Sequence, residues 1–167
     1  MSKLQDEIKK VRPFERREEE VFLNLLRAAD VLARGVEELL KTAGLTPTQY
    51  NVLRILRGAG ATVNHGRKGA ADETALACGE IAERMITRDP DITRLLDRLE
   101  QRGLITRFRG EKDRRVVRSM ITGDGLRLVR DLDKPVAELH RRQLGHMGEE
   151  KLTKLSQLLE EARAATA

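Results

Sequence analysis

The sequence predicts a mainly α-helical fold with one small β-hairpin, and three observations carry that prediction. Apolar residues recur at three- and four-residue spacing toward both ends of the chain, the period of a helix buried on one face. Helix-starting and helix-ending residues punctuate the middle: Gly44, Thr46-Pro47, Asp89-Pro90 and Gly103. Between Leu104 and Ile121 the pattern changes to the alternation of two strands around a polar turn. At 167 residues the chain reads as a single domain, with room for one sizeable core or a small lobe plus an extended helical element.

The first long helix is expected from about Phe14 to Thr42, with Phe22, Leu25, Leu26, Ala29, Leu32, Val36, Leu39 and Leu40 on one face and Gly44 as its stop. A second helix starts with Thr46 as cap, Pro47 at its first position and Gln49 closing a capping box, and carries Leu53 and Leu56 to about Arg57. From Gly58 to Ala77 the periodicity collapses into a glycine- and alanine-rich stretch, which reads as a long loop over 58–77. Helical signals return over Glu80–Met85. A polar turn follows, after which Asp89 is expected to cap a helix that opens with Pro90 and buries Ile92, Leu95, Leu96 and Leu99. Gly103 ends it. Leu104–Arg109 and Arg115–Ile121 form the hairpin, and Thr122-Gly123-Asp124-Gly125 breaks before two closing helices. Pro135 lies inside the first of these and is expected to kink it.

Composition excludes several function classes. No apolar run approaches the roughly 18 residues that span a bilayer, and the N-terminal residues have no signal-peptide character. A single cysteine, Cys78, forbids an intramolecular disulfide and makes a reducing cytoplasm the default. One Tyr, three Phe and no Trp supply few platforms for stacking single-stranded bases. No nucleophile–base pair or phosphate-cradling glycine loop is present, so neither an enzyme nor a cofactor is expected. His140 and His146 are six residues apart and share no helical face, which argues against a metal site.

What remains is charge. Arg84–Arg118 holds eleven Arg or Lys against six acids, an excess of +5 equal to the formal net charge of the whole chain. A balanced scaffold carrying one basic segment is the electrostatic footprint of a protein that docks on phosphates. Helix, tight turn and capped second helix form a helix-turn-helix, whose second helix enters the major groove. The hairpin that follows makes the unit winged, with a basic tip at Lys112, Arg114 and Arg115 able to follow the backbone or enter the minor groove.

The residues here resemble a known family. Ile81–Met85 and Pro90–Arg107 closely resemble the MarR family of bacterial transcriptional regulators, as do Asp113-Arg114-Arg115, Ile121–Gly125 and Leu45–Tyr50. The resemblance covers nearly the whole chain and keeps the family's order of elements. It implies a homodimer with interleaved terminal helices (14–44 and 123–167) and a winged helix-turn-helix lobe (45–122). It also implies a regulator, usually a repressor, that binds a pseudo-palindromic operator in double-stranded DNA and is released by a small-molecule effector. Carried over by position, Thr93, Arg94 and Arg98 face the major groove, Arg88 lies near phosphate, and Arg115 reaches the minor groove with Asp113 holding it.

Three features depart from the family pattern: Asp89 and Asp91 where Ser or Thr is more usual, the long 58–77 stretch, and Pro135. A carboxylate at Asp91 suits the helix dipole but repels phosphate, or it accepts from a cytosine amino group and so reads sequence. Two alternatives stand beside the DNA reader. One is a winged helix turned protein-interaction module. The other is a redox-sensing regulator acting through Cys78, although relatives that sense organic peroxides carry their cysteine near the start of the chain, where this one has none.

Overall fold

The computed structural model describes residues 2–61, 74–110 and 113–164. In chain order the elements are α1 (Lys3–Glu7), α2 (Arg17–Thr42), α3 (Pro47–Ala61), β1 (Leu76–Ala77), α4 (Cys78–Arg84), α5 (Ile92–Gln101), β2 (Ile105–Arg109), β3 (Val117–Ile121), α6 (Gly123–Leu144), a 3-10 turn (Gly145–Met147) and α7 (Glu149–Ala164). The mainly α fold with a small wing is as the periodicity indicated.

α2 starts at Arg17 rather than Phe14. Its first turn holds Glu18, Glu19 and Glu20, which complement the positive end of the helix dipole. Phe14 stays in the preceding arm with the Lys10 ammonium 5.3 Å from its ring. The arm also contains α1, which no periodicity announced; Ser2 caps it and Leu4 is buried. At the other end Gly44 takes φ +67°, a left-handed stop that favours glycine.

α3 opens with the expected reciprocal cap. Thr46 N donates to Gln49 Oε1 at 3.0 Å, and Gln49 N donates to Thr46 Oγ1 at 3.2 Å. The helix then continues past Arg57 to Ala61, into the stretch read as loop, because weak helix propensity yields to tertiary context. At the far side of that stretch Leu76 and Ala77 form β1. Residues 62–73, the middle of the expected loop, lie outside the described residues.

The sheet is antiparallel in the order β1-β3-β2, with Leu76 opposite Ser119, Ile105 opposite Ile121 and Arg109 opposite Val117. Gly110 N donates to Val116 O at 2.9 Å and closes the hairpin. α6 is capped by Thr122, whose Oγ1 accepts from Gly125 N at 3.2 Å, and it continues past Pro135 without interruption. Leu53, Leu56, Ile81, Leu99, Ile105 and Val129 are fully buried where α3, α4, α5, the sheet and α6 meet. α2 gives that core Leu40 as its one buried residue, and α7 gives none. α2 leaves Val21, Phe22, Leu25, Leu26 and Val31 exposed, whereas along α7 Leu158 is exposed and Leu152, Leu155 and Leu159 are half-buried.

Candidate nucleic-acid interface

The N-terminus of α5 corrects one sequence expectation. Asp91, not Asp89, is the N-cap, and its carboxylate accepts from Arg94 N at 3.3 Å. Asp89 Oδ1 instead accepts from Asp91 N at 2.9 Å, a side-chain turn that carries the chain into the cap. Pro90 thus stands before the helix. Its ring disfavours helical geometry in Asp89, which leaves the cap to the second aspartate.

With that start fixed, Leu95, Leu96 and Leu99 face the core, while Thr93, Arg94 and Arg98 lie exposed on the outer side. Arg88 is exposed in the turn before α5. α3 holds this turn from behind: Asn51 Oδ1 accepts from Ile86 N at 3.0 Å, a contact across 35 residues that nothing in the sequence signalled. Thr46, Thr48, Gln49, Asp89, Asp91, Arg94 and Arg98 line one shallow depression, so the N-terminus of α3 borders the outer face of α5.

The segment's cations divide into two groups. Arg107 Nη2 lies 2.6 Å from Asp97 Oδ1 and 2.7 Å from Glu100 Oε2, and its Nε donates to Glu100 Oε2 at 2.7 Å. Its backbone N–H also donates to Glu100 Oε1 at 3.1 Å. The bond to Glu100, then that to Asp97, raises the Arg107 pKa above the usual guanidinium range against the opposing effect of burial. Two of the six acids are thereby engaged from the side by β2. Arg118 donates to Ala75 O at 3.0 Å and lies 3.5 Å from Glu80, joining β3 to the entry of α4. Arg102 donates to Gly44 O at 2.6 Å.

The second group is available. Among the described residues the guanidinium groups of Arg84, Arg88, Arg98, Arg109, Arg114 and Arg115 have no ion pair or hydrogen bond, and all six residues are exposed. Arg94 leans on Asp91, Nε to Oδ2 3.3 Å, an exposed pair that a stronger partner can open. In the wing Asp113 Oδ1 accepts from the backbone N–H of Arg115 at 2.9 Å. Asp113 therefore fixes the backbone from which Arg115 projects, rather than its guanidinium. Lys112 lies outside the described residues.

Cys78 is the first residue of α4 and is half-buried. Among the described residues no three His, Cys, Asp or Glu side chains gather as a metal site would require, and no helix is long and apolar enough to cross a membrane. Apart from this surface, a cleft of about 200 Å³ lies between α2, α3, α6 and the turn before α5. Val36, Leu40, Pro47 and Val136 form its apolar walls, and Tyr50, Asn51, Arg54, Thr87 and His140 bring polar groups to it. Burial raises the Tyr50 pKa, with nearby Arg54 opposing. The phenol is therefore neutral, with a proton to donate.

Comparison with known proteins matches the winged lobe and then most of the chain. The family model for the MarR family matches residues 45–117. The solved structure of a MarR transcription factor from Planctomyces limnophilus is 38% identical, covers 89% of this chain and 98% of its own, and superposes with a TM-score of 0.63. The chain belongs to the MarR family. As a MarR-family protein it is a DNA-binding transcriptional regulator. Among curated MarR-type relatives, the HTH-type transcriptional regulator FarR of Neisseria gonorrhoeae is 25% identical over 149 residues, 89% of this chain and 92% of that protein. The fold is also that of BpsR from Bordetella bronchiseptica, whose DNA binding is regulated by 6-hydroxynicotinic acid; it is 20% identical, with a TM-score of 0.69 over 86% of this chain and 98% of that one.

Proposed function

We propose that this MarR-family chain is a repressor that binds a pseudo-palindromic operator as a homodimer in the cytoplasm and is released by a small molecule. The observation that carries the reading is the sorting of cations just described. Arg107 and Arg118 are engaged inside the lobe, whereas Arg88, Arg98, Arg114 and Arg115 stand exposed and uncommitted along one helix-turn-helix and its wing. Thr93, Arg94 and Arg98 then face base edges in the major groove, Arg88 and Lys112 meet phosphate, and Arg114 and Arg115 serve the wing. Asp91 keeps lone pairs beyond its cap bond with which to accept from a cytosine amino group.

The cleft beside Tyr50 supports the release step. An apolar floor with Arg54 and His140 at hand suits a compact organic acid, and its walls come from both the long helices and the reading lobe. Occupying it would bias the spacing of the two lobes.

The test is selection of duplexes from random DNA, followed by titration of the recovered sequence over a salt series. Two related half-sites about 34 Å apart and a steep loss of affinity with salt are expected. Enrichment of no sequence would refute the reading. Arg94→Ala should cost about 1–3 kcal/mol on the selected duplex and relax the preference at one base pair. An equal loss on selected and scrambled duplexes would make Arg94 a phosphate anchor instead.

A further inference from the structure

We infer that Arg102 is a positioning residue for DNA reading: it latches the end of the recognition helix to the end of α2 and sets the pose of α5 without touching DNA. The inference rests on α5 being the groove helix.

Arg102 is the C-cap residue of α5. Its guanidinium does not turn outward with those of Arg94 and Arg98. It reaches across 58 residues of sequence to donate from Nη1 to Gly44 O at 2.6 Å, with Nη2 3.5 Å from Ala43 O. Those carbonyls belong to the C-cap of α2 and the residue after it, at the negative end of the helix dipole. A planar cation with two parallel donors suits that place, and a lysine ammonium would serve it less well. The acceptors are presented by the left-handed turn at Gly44, and a Cβ built there would stand 3.4 Å from Arg102 Nη2. The space beside Gly44 is ordinary contact distance, so it is the left-handed backbone that makes glycine the favoured residue there.

The opposite side of the same helix end is fixed independently. Thr122 Oγ1 donates to Gly103 O at 2.7 Å, and Thr122 N donates to Leu104 O at 3.1 Å. The C-terminus of α5 is therefore gripped by α6 on one side and by α2 on the other, whereas its N-terminus rests on the local cap and the turn held by Asn51. Arg102 thus ties the end of α2 directly to the end of the recognition helix, beside the core contact that α2 makes through Leu40. Because Arg102 and Gly44 are both exposed, water can replace the lost hydrogen bonds, so the latch adds little to folding and much to orientation.

The test compares Arg102→Ala, Arg102→Lys and Arg98→Ala by fluorescence anisotropy on two duplexes, the best sequence selected by the unaltered protein and a scrambled one. Arg102→Ala should lose about tenfold on the selected duplex, the scale of one misaligned base contact. It should keep its affinity for the scrambled duplex and its salt slope, and Arg102→Lys should fall between. Without DNA, amide hydrogen exchange across 99–105 should accelerate in Arg102→Ala at an unchanged melting temperature. Equal loss on both duplexes with a shallower salt slope would make Arg102 a phosphate contact and overturn the inference. So would unchanged exchange in the free protein. If Arg102→Ala alone keeps its discrimination, only the latch fails. If Arg98→Ala keeps it too, α5 is not the reading helix and both readings fall.

Discussion

Arg107 illustrates how one side chain decides what its neighbours can do. Asp97 and Glu100 lie on the helix proposed to meet DNA, where two carboxylates would repel phosphate. Arg107 reaches over from β2 and pairs with both, at 2.6 and 2.7 Å. Arg107→Ala should therefore lower unfolding free energy by about 1 kcal/mol, a modest figure because the acids remain partly in water. It should also weaken binding to any duplex, since two negative charges lose their partner. A urea midpoint and a scrambled-duplex affinity both equal to the parent's would show that the network does neither. Arg115 is the converse case, a cation with an anchored backbone and a free head. Arg115→Ala should weaken DNA binding in a gel-shift titration at fixed salt and reduce the salt dependence by about one ion per wing if it meets phosphate. Unchanged affinity would remove it from the interface.

At the scale of elements, the junction of α5, β2 and α6 is held by a close approach as well as by hydrogen bonds. A Cβ built on Gly125 would lie 2.3 Å from Leu104 O and 2.8 Å from Ile121 Cγ1. Gly125→Ala must push the start of α6 away from the hairpin, at a cost of about 2–3 kcal/mol. Thermal melting checks this, and a stability within error of the parent's would mean that the backbone absorbs the change.

The same elements show what could be read from the sequence. Thr46-Pro47-Thr48-Gln49 announced the start of α3 because a capping box is local chemistry. Gly44 and Gly103 announced ends because their left-handed backbone favours glycine. α5 starts two residues later than the sequence pattern indicates because two aspartates compete for one cap, and only the Asp89 turn decides between them. β1, with two residues and no alternation to display, left no pattern. Arg57–Asp133 and Arg102–Gly44 join residues 76 and 58 apart in sequence, so such partners emerge only when the chain is folded.

On the scale of the whole molecule, the decisive fact is the apolar surface that stands exposed among the described residues. Phe22 is 60% exposed on α2, and Val21, Leu25, Leu26 and Val31 are exposed on the same helix. On α7 Leu158 is exposed as well, and Leu152, Leu155 and Leu159 beside it are only half-buried. Contiguous apolar surface of this kind calls for a protein partner. In a regulator that reads two half-sites, a second copy would cover this surface and place the second reading helix. Deleting 152–167 should accordingly yield a monomer in sedimentation velocity. Its affinity for the selected operator should fall by at least about a hundredfold, because the second half-site contact would no longer be intramolecular. Its affinity for a scrambled duplex should fall far less, since each lobe keeps Arg88, Arg98, Arg114 and Arg115. An intact dimer after the deletion would move the interface to α2 alone. Phe22→Glu would test that remaining face, and a dimer that survives both changes would refute the terminal helices as the platform on which the two lobes are spaced.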